Sequence, residues 1–176
     1  MGASDGGSST GLLLELAQVL TGQARSDDVY LVWFDGEEAV RAEWQDPDNL
    51  YGSRHLAERW QKDGTLRLLK GLINVDMIGD KHLNIKRETG GYAPLTRLVW
   101  QTAAELGYAA YFVNESQPID DDHRPFVDLG APAIDLIDFD YPPWHTDDDT
   151  MDKLSAQSLE TVGLVVAEVI KRLERQ

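Results

Sequence analysis

The chain has 176 residues, of which 42% are hydrophobic and 27% charged; 31 acids against 16 bases give a net charge of −15, and there is no cysteine. Such a chain suits one globular domain with a real core rather than a disordered tail. The charge excludes general nucleic-acid binding, since so acidic a body repels phosphate backbones, and the missing thiols exclude a disulfide framework, thiolate metal sites and a cysteine nucleophile.

The opening "MGASDGGSST" reads as a glycine- and serine-rich loop. In "TGLLLELAQVL" the residues Leu12, Leu13, Leu16, Val19 and Leu20 share one helical face, and Ser8 to Thr10 are expected to cap that helix. "DDVYLVWFD" (27–35) is compact, apolar and aromatic, which predicts a buried strand. "LYGSRHLAERW" (50–60) predicts a short helix, and "LKGLINVDMIG" (69–79) a second buried strand with one aspartate in its apolar run. "HLNIKRE" alternates and reads as a hairpin partner. "PLTRLVWQTAAELG" (94–107) is amphipathic with a glycine stop. "APAIDLIDF" (131–139) predicts a third main strand. Residues 155–173 predict a long last helix with Leu159, Val162, Val166, Ile170 and Leu173 on its buried stripe. Trp33, Trp60 and Trp100 read as packing residues, and His55 and His123 as structural hydrogen-bonding groups.

With no repeat or linker, residues 1–176 read as a single domain. Strands alternating with helices imply a layered α/β architecture, in which functional residues gather on loops leaving the strand ends. No apolar run approaches the roughly 20 residues needed to span a bilayer. The N-terminus lacks the basic and apolar regions of a signal peptide. The compartment is therefore undetermined, and a secreted or periplasmic full-length form is compatible with the sequence.

Acids at element ends stand out from the solvated rest. Asp5 lies in the glycine-rich loop, Glu37 and Glu38 follow "VWFDG", Asp76 falls inside "INVDMIG", and His145 follows "LIDFDYPPW". Adjacent carboxylates leaving a strand point different ways, so one can hold a metal while its neighbour faces substrate as a proton shuttle. Asp5, Glu38 and His145 form a reasonable three-ligand set for zinc with an open fourth position. Taken singly, Asp5 is as well explained as a helix cap, the Glu37–Glu38 pair as a solvated turn, and His145 as structural. Asp76 resists that reading, because a carboxylate in an apolar strand needs partners.

The stretches "GASDGGSSTGLLLELAQVL", "VWFDGEEAV", "LYGSRHLAERW", "NVDMIGD", "DDDHRPFVDLGAPAIDLIDF" and "PWHTDDDTMDKLS" run in the order of the zinc-dependent exopeptidases of family M28, and nearly the whole chain resembles the glutaminyl cyclases within it. The resemblance implies a three-layer α/β sandwich with a mixed, mostly parallel central sheet. It implies one zinc per chain on Asp5, Glu38 and His145, with Glu37 as the proton-transfer glutamate. Asp76 and Asp121, the latter being the first Asp of the "DDH" triplet, match acids sharing a hydrogen-bond network with Glu37. Trp144 matches a tryptophan lining the cyclase substrate pocket. Trp44 matches a second one, at a spacing from Glu38 one residue longer than in the animal cyclases.

The implied activity is zinc-dependent cyclisation of N-terminal glutamine to pyroglutamate with release of ammonia, on peptides or proteins that begin with glutamine. The alternatives are an M28-type zinc aminopeptidase releasing N-terminal amino acids, and an inactive truncated binding or assembly relative. The family has a substantial segment before the "ASD" loop, including strands of the same sheet. This chain is therefore expected to be the C-terminal portion of the full fold, with N-terminal strands missing. The expected consequences are a poorly anchored Asp5, weak zinc binding and activity, and self-association through an uncovered sheet edge.

Overall fold

The computed structural model describes residues 2–41 and 43–176. In chain order its elements are α1 (Gly7–Leu20), α2 (Tyr51–Asp63), a 3-10 turn (Thr65–Leu68), β1 (Leu72–Asp76), β2 (Ile85–Glu88), α3 (Ala93–Glu105), β3 (Phe112–Gln117), α4 (Arg124–Asp128), β4 (Ala133–Ile137), a second 3-10 turn (Met151–Lys153) and α5 (Ala156–Glu174). β1 and β4 pair in parallel, from Leu72 opposite Ala133 to Asp76 opposite Ile137. β2 and β3 form a second parallel pair.

All five β4 residues are buried, which is why this strand reads as a continuous apolar run. Because side chains alternate across a strand, β4 feeds two cores. Ile134 and Leu136 pack with Leu12 and Leu16 of α1, Val99 of α3, and Val162 and Val166 of α5. Ala133 packs the other way, with Ala57 of α2 and Phe126 of α4. The result is helices on both faces of parallel strands, the three-layer arrangement the sequence implies. Each fully buried aliphatic side chain contributes about 1.5–3 kcal/mol.

Several expectations change. Residues 28–34 form no regular element and belong to no ladder, and Tyr30 and Trp33 are 58% and 47% exposed. An apolar run becomes a buried strand only beside a partner, and among the described residues none lies there. Instead this run and β1 line one cleft of about 610 Å³ with Leu13, Val166 and Ile170. Trp33 is therefore no packing residue, whereas Trp60 packs edge-on against Tyr30 and Phe126, and Trp100 against Phe112. β2 is not a hairpin strand: its partner β3 comes only after α3, and a parallel pair needs such a crossover. Ser8 to Thr10 lie inside α1, whose N-cap is Gly6 with no side-chain cap. The Ser8 hydroxyl donates instead to the Ser4 carbonyl (2.6 Å) and accepts from the Ile78 N–H (3.1 Å), tying α1 to the end of β1. Val19 is exposed, so the α1 stripe is narrower than its leucines suggest. On α5 the buried apolar positions are Val162, Val165, Val166 and Val169, with Leu159, Ile170 and Leu173 at the margin. His55 is exposed; His123 is fully buried with both ring nitrogens unpartnered, Nε2 lying 3.7 Å from Glu88.

Candidate metal centre and the acids behind it

Three loops converge on one end of the β1–β4 pair. The first is the glycine-rich loop before α1. A Cβ on Gly7 would meet the Gly2 carbonyl oxygen at 2.5 Å, so the loop closes on itself only with glycine there, and it delivers Asp5 to the start of α1. The second follows the 28–34 run. Without a ladder to hold it, it is held by α2: Leu50, Tyr51 and Gly52 donate their N–H groups to the carbonyls of Glu37, Gly36 and Asp35 at 2.8, 2.9 and 3.0 Å. The orphan donors at the helix start are thereby satisfied, and Glu37 and Glu38 are set in place. The third is the proline-rich loop after β4, in which Trp144 donates to the Tyr141 carbonyl and Thr146 to that of Pro143, each at 3.1 Å. His145 sits there at φ 55, a conformation costing about 1–3 kcal/mol for a residue with a side chain.

One donor atom from each of Asp5, Glu38 and His145 lies within 4.8 Å of the others. The His145 Nε2 atom is 2.8 Å from Glu38 Oε1 and 3.6 Å from Asp5 Oδ2. Burial and the Glu38 charge raise the Asp5 pKa. Asp5 is also better anchored than its place near the chain start suggests. The carboxylate of Asp149 accepts from the N–H of Ser4 (2.8 Å) and of Asp5 (3.2 Å). That partner, 144 residues away, is what opposes fraying.

Behind the trio lies a second group of acids. Burial, with the charges of Asp121 and Asp76, pushes Glu37 up to about 9. Burial raises Asp76 and Asp121 to about 7 and Asp122 to about 6. Asp135, fully buried, is raised as well. Asn74 on β1 bridges two of them, its amide donating to Asp121 (3.1 Å) and to Asp135 (3.2 Å), its register partner on β4. Glu37 makes no direct side-chain hydrogen bond to Asp76 or Asp121 among the described residues; they act on it through charge.

The predicted site residues thus fall into two groups. Asp5, Glu38 and His145 meet, with Trp144 packed in tilted contact on the His145 ring (centroids 4.2 Å apart, planes at 32°) and on Phe139 (4.7 Å, 52°). Glu37, Asp76 and Asp121 line the same cleft as the 28–34 run. Trp44 is not at the trio's rings; its indole N–H donates to Asp120 at 2.8 Å, next to Asp121. Asn74, Asp135 and Asp149 escape the sequence reading. Asp135 sits in "AIDLI" much as Asp76 sits in "INVDMIG", and that was its signal. Asp149 is indistinguishable by sequence from the exposed Asp147 and Asp148 beside it.

The donor set fits zinc. Zinc accepts both carboxylate oxygens and imidazole nitrogen, and three such donors leave the fourth tetrahedral position open. Among the described residues no lysine or arginine pairs with the trio's acids, and carboxylates brought this close need a cation or protons.

The β1–β4 core with its helices, and the loops gathered at its end, define a zinc-exopeptidase type of fold, and the chain belongs to peptidase family M28, whose model matches residues 1–170. Within the family it is similar to glutaminyl cyclases. The glutaminyl-peptide cyclotransferase of Drosophila melanogaster is 29% identical over 192 residues, covering 94% of this chain and 54% of that protein. The crystal structure of an Acidobacteriales bacterium glutaminyl cyclase superposes with a TM-score of 0.93 at 41% identity, over 99% of this chain and 62% of that one. A Zn-dependent exopeptidase from Parabacteroides distasonis superposes at 0.84 with 28% identity, over 99% and 64%. The chain spans about half the length of the curated relatives it matches.

Proposed function

We propose that the protein closes N-terminal glutamine of peptides or proteins to pyroglutamate with release of ammonia, using one zinc per chain held by Asp5, Glu38 and His145. The observation that carries this reading is the convergence of the trio with Trp144 packed against its histidine and Glu37 adjoining it in the chain. Zinc, when bound, supplies Lewis acidity toward the side-chain amide carbonyl. Glu37 takes a proton from the attacking α-amine and delivers one to the leaving nitrogen. The bond from the α-nitrogen to the side-chain carbonyl carbon forms, and the bond from that carbon to the amide nitrogen breaks. Asp76 and Asp121 raise the proton affinity of Glu37 by their charge. Trp144 packs on the glutamine side chain and folds it toward its own amine; Trp44 borders the same substrate from the Asp120 side. Holding nucleophile and carbonyl in one geometry is the main requirement, because both belong to one residue.

The similarity to a Zn-dependent exopeptidase favours one second reading, an aminopeptidase using the same trio and Glu37 with water as nucleophile. The test is to offer zinc-loaded protein a glutamine-initiated peptide and follow ammonia and peptide mass. Ammonia release with the next peptide bond intact is expected. Free N-terminal amino acids would replace the cyclase with the peptidase. Zinc binding with neither product would make it a non-catalytic relative.

We propose as well that the chain self-associates through the free edge of β1. β1 is paired only to β4 among the described residues, and its residues line the cleft together with the apolar 28–34 run. Unpaired edges of this kind recruit strands. Sedimentation should show association that rises with concentration; a monomer at all concentrations would remove the proposal.

A further inference from the structure

We propose that Asp149 is a positioning residue for the metal centre: its carboxylate clamps the loop that carries Asp5 onto the loop that carries His145. This rests on the reading of Asp5, Glu38 and His145 as metal ligands and adds a residue outside that set.

The geometry is specific. Asp149 is 2% exposed although it ends a run of three aspartates whose other two members are exposed. Its two oxygens are divided between consecutive backbone N–H groups, Oδ1 on Ser4 at 2.8 Å and Oδ2 on Asp5 at 3.2 Å. Oδ1 also accepts from the Tyr141 hydroxyl at 2.8 Å, and Tyr141 is itself 3% exposed. The Asp149 N–H donates to the Thr146 carbonyl at 3.2 Å, and the Thr146 hydroxyl to that of Pro143 at 2.7 Å. The loop around His145 is thus braced from both ends, and the same carboxylate that closes it grips the backbone of Asp5.

The physical consequence concerns ligand spacing. Asp5 and His145 stand on loops that no ladder joins among the described residues, and their donors must stay within a few ångströms of each other. Charge-assisted hydrogen bonds from two consecutive N–H groups fix the position and the rotation of the Asp5 backbone. Groups that orient a metal ligand from behind affect affinity by roughly 10–100-fold when removed.

The test compares Asp149→Asn with Tyr141→Phe and with Asp148→Asn. The last removes the same charge from the same loop at an exposed position. Two quantities are read: zinc affinity by competition with a chromophoric chelator, and amide hydrogen exchange of the metal-free chain. Asp149→Asn replaces one of the two acceptor oxygens by an amide N–H₂, which then faces at least one of the three donors. It should weaken zinc at least 10-fold and speed exchange at Ser4 and Asp5 at least 10-fold, with β4 amides unchanged. Tyr141→Phe should do the same to a lesser degree, and Asp148→Asn should change neither. Should Asp149→Asn fail to fold, Tyr141→Phe decides by the same two measurements. Equal losses in Asp149→Asn and Asp148→Asn would show a charge effect and overturn the clamp. So would faster exchange everywhere with unaltered zinc affinity, which marks a general structural role. If the wild-type chain binds no zinc, the metal-ligand reading fails, and the clamp then stands or falls on exchange at Ser4 and Asp5 alone.

Discussion

The trio and the acids behind it are built largely of the same side chain, yet the fold gives them opposite surroundings. The side chains of Asp5, Glu38 and His145 are 24%, 53% and 46% exposed and come from three separate loops. Asp121 and Asp135 are 6% and 1% exposed, and Asn74, Asp76 and Asp135 sit on paired strands. Open, loop-borne donors can receive an ion and a substrate. The acids behind are less open to solvent, and they can hold protons, because burial makes the neutral carboxyl the favoured form. Glu37 belongs to both regions, adjacent in sequence to a proposed ligand and facing the acids behind.

The sharpest way to break this division is Glu37→Gln. If Glu37 moves protons and does not hold metal, zinc affinity should stay within about 3-fold while turnover falls by about 10²–10⁴-fold. Lost zinc with lost turnover would put Glu37 among the ligands. His145→Ala is the complementary change. It removes one of three donors and should weaken zinc by about 100-fold or more, measured by equilibrium dialysis, leaving the far-ultraviolet circular dichroism unchanged. A variant that still binds zinc tightly would remove His145 from the set. Trp144→Ala should act on substrate alone. An approximately 10-fold rise in KM with zinc affinity retained is expected from loss of an aromatic platform; a change in zinc affinity without one in KM would make the ring contact a support for His145 only.

The smallest expected effect separates the two regions by pH. A buried carboxyl whose pKa is raised on folding holds its proton more tightly folded than unfolded. Its contribution to stability is therefore complete below about 4 and lost as pH rises through the folded values, about 7 for Asp76 and Asp121 and about 6 for Asp122 and Asp138. The metal-free chain should unfold at lower urea concentration at pH 8 than at pH 5, and zinc added at pH 8 should restore part of the difference. Stability that rises from pH 5 to pH 8 without zinc would mean that these acids are paired rather than protonated.

What the sequence by itself determines here is whatever depends on local periodicity and on residue type at element ends. The stripes of α3 and α5 and the apolar runs of β1 and β4 are legible within a few residues, because helical and strand spacing is written in neighbours. Asp5, Glu38 and His145 are legible as candidate ligands, since acids and a histidine beside breakers at element ends have few bland explanations in combination. Tertiary structure alone decides the rest. Residues 28–34 have the composition of a buried strand, but a ladder needs a second backbone, and composition does not supply one. β3 is a strand despite a polar sequence in which only Phe112 is buried, because β2 lies alongside to exchange ladder hydrogen bonds with it. Among three consecutive aspartates only Asp149 is buried, and only because the backbone of Ser4 and Asp5, at the other end of the chain, points two N–H groups at it.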